Sequence, residues 1–539
     1  MRKFTVRPSK LMILLLAFTL VFVAGCQAIS NLDFNTVLKN AMKVTSSESK
    51  QSVELKLLLD ESLYEGIPEE ELALMKLVSN LKLQLDNIKA QDSSHVSLDG
   101  SLILGNAASI KFNLKMSDTL AVLELEGAKQ PFTLDLTSEG LLGLAGLSDF
   151  EDLPVDDSTE AAPALDEAAL TALGHQLLDT VGSFVIDNLP NPERIEVKPV
   201  NEPINGTSTS MMHVHFDLNG PELWTWVKKY VDALVADRAG LDKMVAGVFE
   251  ILKTNPDIWN AAGTINPFEE GGLDTQSPEE ILKETTDGLA MLLTELQGEL
   301  QLMEEEDQET LDEIFTKDLT VKADVYVDNK LDIRKQSFEV SYVPSGELEY
   351  DVIPFKGLSI KLESESWNVN GTVKADAPVA SKSDLSVEKL MDMQGYQILK
   401  HFDDKSVAYD LLKNKLHINK QNITWYSYEY YNPVIVTANH ITLVPLRDTV
   451  EQLGGKLTYD AKTKNLKIVD EATNTTITIK NGSDTAVVNG KTVKWSFPAT
   501  VIDGVTYVPA RNLATALKAK IGWTDLSDDM RIFTLDREV

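Results

Sequence analysis

The sequence predicts an α+β protein: a curved antiparallel sheet packed on helices, half-barrel-like, followed by a small α+β domain with an internal repeat. Two blocks of short strands with alternating apolar residues enclose a helical region within the first 373 residues. Strands grouped apart from helices are typical of the α+β class. Near the C-terminus, the segment that begins at Ile441 recurs at Val505, an offset of 64 residues.

The first block opens with a predicted helix over 31–43 and continues as an antiparallel meander over 53–136, interrupted by a helix over 68–80. In the first strand, apolar residues from Val53 onward alternate with polar ones, the period-two pattern of a half-buried strand. The acidic, proline-containing stretch 149–166 predicts an exposed linker. A calcium loop is the alternative for this stretch, but the glycine of an EF-hand turn is missing.

Helices are predicted over 164–188 and 221–239 and from Ser277 onward, and strands return over 319–367. A capping serine followed by proline and, three residues after the cap, by glutamate is typical of a helix start. The acid run 304–307 predicts the solvated end of this third helix.

The body, residues 26–373, resembles the periplasmic carrier and mycobacterial-type lipoprotein folds, in which an open half-barrel closes over helices and encloses an apolar cavity. The resemblance lies in the order of elements and in the opening helix followed by the turn 46–49. It implies a carrier of a lipid or other apolar ligand. A filled core is the alternative, because Leu, Val and Met serve either purpose.

The first residues have the anatomy of an export signal. Four cations precede an apolar run, 11–23, that is shorter than the about 20 apolar residues a spanning helix needs. The run ends in Val23-Ala24-Gly25-Cys26, which resembles the bacterial lipobox, where the chain is cut before the cysteine and the sulfur carries diacylglycerol. The resemblance implies a lipoprotein signal peptide over 1–25, an acylated (palmitate-type) Cys26, and a mature protein at the outer face of the cytoplasmic membrane, exposed toward the cell wall. A buried free cysteine in an ordinary signal helix is the alternative.

The charge of the chain agrees with that location. The formal net charge is -33, and removal of residues 1–25 leaves 46 basic against 83 acidic residues, or -37. Such an acidic surface repels nucleic acid and anionic lipid head groups, so we expect no nucleic-acid partner and membrane contact through the anchor alone. Cys26 is the only cysteine, which excludes an intrachain disulfide.

The C-terminal domain, predicted over 422–539 after a linker and helix over 374–421, contains the repeat. Each copy has the pattern strand, short helix, strand, strand. The matched motif positions are Val444, Pro445 and Arg447 in the first copy and Val508, Pro509 and Arg511 in the second. With Ala486–Lys491 and Gly522-Trp523, this pattern resembles the copper amine oxidase N-terminal-like, or stalk, domain of many Gram-positive surface proteins. For both arginines we expect a structural tie from helix to strand through a carboxylate; contact with a ligand is the alternative.

Catalysis is not implied by that resemblance, since the chemistry of amine oxidases belongs to a separate large domain with a tyrosine-derived quinone and three copper-binding histidines. The stretch Ser427-Tyr428-Glu429-Tyr430 resembles the quinone motif but lacks its asparagine, and an aromatic strand explains it better. No Ser-His-Asp signature, phosphate loop or zinc-ligand spacing stands out. We therefore expect no enzyme activity and no cofactor.

His213 and His215 are the candidates for a transition-metal site that the pattern indicates. They share one strand face, as copper ligands require, whereas Met212, Val214 and Phe216 lie on the opposite, core-facing side. Both histidines are predicted to be exposed, and no third ligand is linked to them by spacing, so no metal site is expected.

Taken together, these patterns predict a non-enzymatic, membrane-anchored surface lipoprotein with a binding or scaffold role through its stalk-type domain. Its expected partners are the membrane, through the lipid anchor, and the cell wall or a surface protein. The alternative is a carrier of an apolar ligand in the body, and a remote alternative is copper-dependent amine oxidation.

Overall fold

A computed structural model describes residues 32–60, 64, 67–105, 108–137, 167–255, 277–343, 355–426, 433–527 and 530–539. The lipobox with Cys26, the acidic stretch 149–166 and the aromatic stretch 427–430 lie outside the described residues. The predicted α+β class with a curled half-barrel sheet is confirmed. The chain forms two compact units, here called the body unit (Met1–Leu125 with Phe132–Lys382) and the C-terminal unit (Glu126–Pro131 with Ser383–Val539). The domain boundaries drawn from sequence stay predictions.

The strands of the body unit form one antiparallel sheet. They are β1 (Ser47–Leu59), β2 (Asn80–Ala90), β3 (Val96–Leu104), β4 (Ala108–Met116), β5 (Leu120–Leu125), β6 (Phe132–Asp135), β7 (Ile195–Ile204), β8 (Thr207–Asn219), β9 (Leu319–Val327), β10 (Ile333–Tyr342) and β11 (Phe355–Trp367). Their order in the sheet is β6-β5-β4-β3-β2-β1-β11-β10-β9-β8-β7. Each neighbour in this order is antiparallel, as the predicted meanders require.

The described helices of the body unit are α1 (Phe34–Met42), α2 (Glu69–Val78), α3 (Glu167–Asp187), α4 (Gly220–Ala236), α5 (Arg238–Thr254), α6 (Pro278–Glu306) and α7 (Gln308–Ile314). Four of them, α1, α4, α5 and α6, begin after a residue whose side chain caps them. The capping box predicted at the start of α6 is present, and the exposed acid run forms its last turn. Gly220 opens α4 where an added Cβ would lie 2.3 Å from the Thr316 carbonyl oxygen, so glycine alone fits there.

The predicted single helix over 221–239 is wrong at its C-terminal end, and α5 was not predicted. Asp237 ends α4 and at the same time caps α5, its side chain accepting a hydrogen bond from the Gly240 amide. One face of each of these helices packs on the sheet or on its neighbours. Val227, Tyr230 and Leu241 are almost fully buried as a result.

The C-terminal unit confirms the strand–helix–strand–strand pattern in both copies of the repeat. The first copy is β15 (Thr442–Pro445), α11 (Leu446–Gln452), β16 (Lys456–Asp460) and β17 (Asn465–Asp470). The second is β22 (Val505–Pro509), α12 (Ala510–Ala516), β23 (Lys520–Ser527) and β24 (Met530–Glu538). The other elements are β12 (Leu385–Ser386), α8 (Val387–Met391), α9 (Gly395–Leu399), α10 (Val407–Asp410), a π-helical turn (Leu411–Lys415), β13 (Lys420–Tyr426), β14 (Ile435–Val436), β18 (Thr475–Lys480), β19 (Thr485–Val488), β20 (Lys491–Lys494) and β21 (Thr500–Ile502).

The two copies meet around a local two-fold relation. Val444 and Val508, which are equivalent in the repeat, lie directly opposite each other where β15 pairs antiparallel with β22. Both are fully buried, in a core that also holds the equivalent leucines Leu453 and Leu517. The repeat is therefore a packing device, in which each copy covers the apolar side of the other.

Candidate functional site

An apolar pocket of about 520 Å³ lies in the body unit between the sheet and two helices. Its volume is within the about 300–1,000 Å³ that small-molecule sites have. Strands β8, β9 and β10 supply its floor, and α1 and α3 supply its walls. The lining residues include Phe34, Leu38, Leu178, Val185, Phe216, Val325 and Phe338, with Gln336 as a polar member.

The pocket follows from the alternation in the strands and from small residues in the helices. Phe216 and Val325 are core-facing positions of β8 and β9, as the period-two pattern predicts. Opposite them, Ala41 and Gly182 bring little side-chain volume, and the space at Gly182 is occupied only by the flexible end of Met42. The arrangement suits an apolar chain and offers no catalytic group.

His213 and His215 project from the other face of β8 and converge on Asp324 of β9. The Nε2 atom of His213 lies 2.7 Å from Asp324 Oδ1, and Nδ1 of His215 lies 2.8 Å from the same oxygen. The register explains this convergence, because His215 is directly opposite Asp324, and His213 is opposite Tyr326. The ring of His213 also stacks on Tyr326, with 4.4 Å between the ring centroids.

The electrostatics of this cluster favour an ionised Asp324. Partial burial opposes ionisation and would raise the pKa of Asp324, but the hydrogen bonds from His213 and His215 outweigh burial, so that the pKa lies below its ordinary value. The predicted exposure of both histidines is wrong for His213, which is buried. Sequence spacing did not reveal Asp324, since it lies 109 residues beyond His215 and only sheet pairing joins them.

Of the repeat-motif arginines, Arg447 pairs with its own helix. Its Nη1 donates to Glu451 Oε1 at 2.7 Å, one turn later in α11, and both side chains are exposed. Both partners of this ion pair lie in one helix, so the pair does not provide the expected tie from helix to strand. Arg511 is exposed in the equivalent position of α12, whereas Val444, Pro445, Val508 and Pro509 are buried. The ligand-contact alternative stays open for both arginines.

Arg537, which the sequence did not single out, ties the two copies together. Its guanidinium is fully buried and forms a bidentate ion pair with Asp470, with N–O distances of 2.6 and 3.0 Å. It also donates to the carbonyl oxygens of Leu453 and Leu517, which end the equivalent helices α11 and α12. Nothing local in the sequence signals this role, because its partners lie 20 to 116 residues away.

The sheet β16-β17-β18-β19-β20 presents a basic face that was also missed. Its segment, 456–494, contains seven lysines and four acidic residues, the reverse of the balance in the whole chain. All seven lysines are exposed, whereas Asp470 is buried against Arg537. The lysine count alone would have revealed this segment. The lysines are Lys456, Lys462, Lys464, Lys467, Lys480, Lys491 and Lys494.

The outer surface of this sheet combines hydroxyl groups with four of the lysines: Lys456, Lys467, Lys480 and Lys494. Lys462 and Lys464 lie in the connection between β16 and β17, and Lys491 lies opposite Val488 on the core side. Alternate residues such as Ile468 and Ile477 enter the core, so their neighbours face solvent. One cross-strand row consists of Thr458, Lys467, Thr478, Val487 and Thr492, each opposite the next in register. Ammonium and hydroxyl groups at such spacing suit an anionic, hydroxyl-rich polymer.

The comparison with protein families finds one match. Residues 417–532 match the family described as copper amine oxidase N-terminal domain. The match spans less than a quarter of the chain and does not include a catalytic domain. No curated protein and no solved structure matches the chain.

Copper chemistry has no support within the matched segment. Among its described residues, no three His, Cys, Asp or Glu side chains come close enough to share a metal ion; the described group that does so is His213, His215 and Asp324, in the body unit.

No helix in the described ranges has the length and apolar character needed to cross a bilayer. The C-terminal region thus carries a domain of the copper amine oxidase N-terminal type, without the catalytic portion.

Proposed function

We propose that this chain is a non-enzymatic, membrane-anchored surface lipoprotein that binds an anionic polymer of the cell wall through its C-terminal unit. The observation that carries the proposal is the basic, hydroxyl-bearing sheet face of residues 456–494 in an otherwise strongly acidic chain. The match to an accessory-type domain supports a binding role for this unit rather than catalysis. The lipobox ending at Cys26 supports the membrane anchor.

The charge distribution determines which surface of the protein can bind the polymer. An overall charge of -33 repels polyanions, so contact with such a polymer requires a local positive surface. The exposed lysines of the sheet provide that surface, and screening by salt should weaken the contact because the charges face solvent. Of these lysines, Lys494 pairs with Asp484 at 3.4 Å and is itself largely exposed, so its charge stays available.

A truncation tests this assignment. The chain from residue 27 to 539 should sediment with purified cell wall, and the chain ending at Lys382 should remain in the supernatant. Residues 383–539 contain the C-terminal core and should sediment alone. Equal sedimentation of the truncated and complete chains would refute the proposal. Binding to the cell wall that does not weaken as salt is added would also refute it.

A second candidate function is favoured by the apolar pocket of the body unit: binding of a single-chain lipid or similar apolar ligand. Phe34, Phe216 and Phe338 line an apolar space of about 520 Å³, and burial of each methylene of an alkyl chain there contributes about 0.8 kcal/mol. Native mass spectrometry of the chain from residue 27 should therefore show a retained apolar ligand.

The pocket has a matched pair of variants. Leu178 lines the pocket and is 50% exposed, so Leu178→Asp should fold normally and lower the affinity for a fluorescent long-chain fatty acid by about 10-fold or more, because it brings a charge to an apolar site. Leu292→Asp alters a 61% exposed residue of α6 that does not line the pocket, and it should bind as the unchanged chain does. Equal affinity of both variants would exclude the pocket as the site.

A further inference from the structure

The strongest unassigned cluster in the described part of the chain lies on the polar face of the body sheet. We infer that His213, His215 and Asp324 form a binding site for one divalent transition-metal ion of the zinc type. The site is separate from the pocket, because Phe216 and Val325 point to the opposite face of the same strands. It is also separate from the segment that matches the amine oxidase family.

The spacing of the three ligand atoms fits a metal ion after a small adjustment. The ligand atoms lie within 4.8 Å of one another, and each histidine nitrogen is at hydrogen-bond distance from Asp324 Oδ1, 2.7 and 2.8 Å. Zinc–ligand bonds of about 2.0–2.1 Å arranged tetrahedrally place ligand atoms about 3.3 Å apart. Each histidine–aspartate contact therefore has to open by about half an ångström, and the two histidine nitrogens, which lie within 4.8 Å of each other, have to reach the same separation of about 3.3 Å. Side-chain torsions supply such shifts.

The donor set selects the class of metal. Two imidazoles and one carboxylate suit zinc and neighbouring transition metals, whereas calcium and magnesium prefer all-oxygen sites. An ionised carboxylate only accepts hydrogen bonds, so each facing nitrogen carries a proton without metal. When a metal ion binds, each ring gives its facing proton to solvent and keeps or takes up a proton on its other nitrogen, so that a neutral imidazole offers a lone pair to the ion. The carboxylate then bonds to the ion directly.

The scaffold holds the ligands in place. Strands β8 and β9 fix the three backbones through continuous pairing, and the His213 side chain, only 10% exposed, is held against Tyr326. Three protein ligands leave a fourth position for water or for Glu196, which is exposed and lies opposite His215 on β7. Directly opposite residues have Cβ atoms about 5 Å apart, within reach of a glutamate.

The test uses the chain from residue 27 to 539, freed of metal and titrated with Zn²⁺, with bound metal measured after dialysis. We expect about one tightly bound ion per chain, and for Co²⁺ in its place an absorption spectrum typical of tetrahedral coordination. His215→Gln and Asp324→Asn each remove one ligand and should weaken Zn²⁺ binding by at least about 10-fold. His215 is partly exposed, so its replacement should leave the fold intact, which circular dichroism checks.

The control is His95→Gln. His95 Nδ1 also faces an aspartate, Asp92, at 2.9 Å, but the described residues place no second imidazole in that cluster. This variant should bind Zn²⁺ as the unchanged chain does. Absence of a tightly bound ion in the unchanged chain, or an unaltered affinity in folded His215→Gln and Asp324→Asn, would overturn the inference and leave a His–Asp–His hydrogen-bond cluster only.

Discussion

At the scale of single residues, the buried ion pair between Arg537 and Asp470 carries the greatest energetic consequence. The Arg537 side chain is 0% exposed and Asp470 2% exposed, and the guanidinium satisfies two helix-terminal carbonyls as well. Removal of one partner of a buried ion pair leaves the other charge unpaired and out of contact with water. The pair thus holds the two repeat copies in one arrangement.

Arg537→Met should lower the free energy of unfolding of the C-terminal unit by about 3–5 kcal/mol. Urea unfolding of residues 383–539 measures this loss. Arg447→Met is the matched control, since it removes an exposed pair within one helix and should cost less than about 1 kcal/mol. Similar losses in both variants would show that Arg537 does not act as a buried tie.

The cap of α1 is a second residue-scale determinant, because α1 forms a wall of the pocket. Asp33 accepts hydrogen bonds from the Thr36 hydroxyl at 2.6 Å and from the Thr36 amide at 3.1 Å. These bonds, with the hydroxyl contributing most, hold the pKa of Asp33 below its ordinary value of 3.8. A lowered folded-state pKa means that the stabilisation is complete above 3.8 and is lost as the pH falls through the lower folded value.

Asp33→Ala should therefore make α1 open more readily at neutral pH, by about 1 kcal/mol, and the difference should vanish in acid. Hydrogen exchange of the α1 amides at neutral and acidic pH reports it. Asp33→Asn keeps a capping side chain that does not titrate, so its effect should not follow pH in this way. A decrease in the opening free energy of α1 in Asp33→Ala that persists unchanged in acid would contradict the capping role.

At the scale of elements, the repeat was predictable and the pairing of its parts was not. Strong local signals, such as the capping box at Ser277 and the motif around Pro445, lie within a few residues of the elements they define. The break between α4 and α5 was missed, because Asp237 serves as cap for a helix whose apolar pattern continues that of the preceding one. Asp324 and Arg537 were missed because their partners are brought together only by the fold.

The ends of α11 and α12 offer an element-scale prediction. Gly454 and Lys518 are equivalent in the repeat and both have left-handed backbones, with φ of 74° and 57°. Glycine adopts this conformation without steric cost, whereas a side chain costs about 1 kcal/mol. Lys518→Gly should thus raise the free energy of unfolding by about 1 kcal/mol, and Gly454→Ala should lower it by a similar amount. A free energy of unfolding in urea that changed in the opposite direction for either variant would contradict this account of the left-handed positions.

At the scale of the whole molecule, the sequence predicted the α+β class because alternating and helical periods occupy separate segments. It did not predict whether the body had a filled core or a pocket, since the same apolar residues serve both. Helix–sheet packing decides that question, and here the small side chain of Ala41 on α1 leaves space beside the sheet. The net charge is likewise informative only when the charged residues are located in the structure, because a chain with a net charge of -33 also contains a basic sheet.

The most direct measurement of the proposed function is sedimentation with purified cell wall after charge reversal on that sheet. In the chain from residue 27 to 539, Lys467→Glu combined with Lys480→Glu and Lys456→Glu should lower wall affinity by about 10-fold or more, since these ammonium groups share the outer face of the sheet and meet the polyanion. Lys243→Glu combined with Lys198→Glu and Lys253→Glu makes the same change of charge in the body unit and should reduce binding far less. Equal losses in the two triple variants, or retained binding after reversal on the sheet, would contradict recognition through the C-terminal unit.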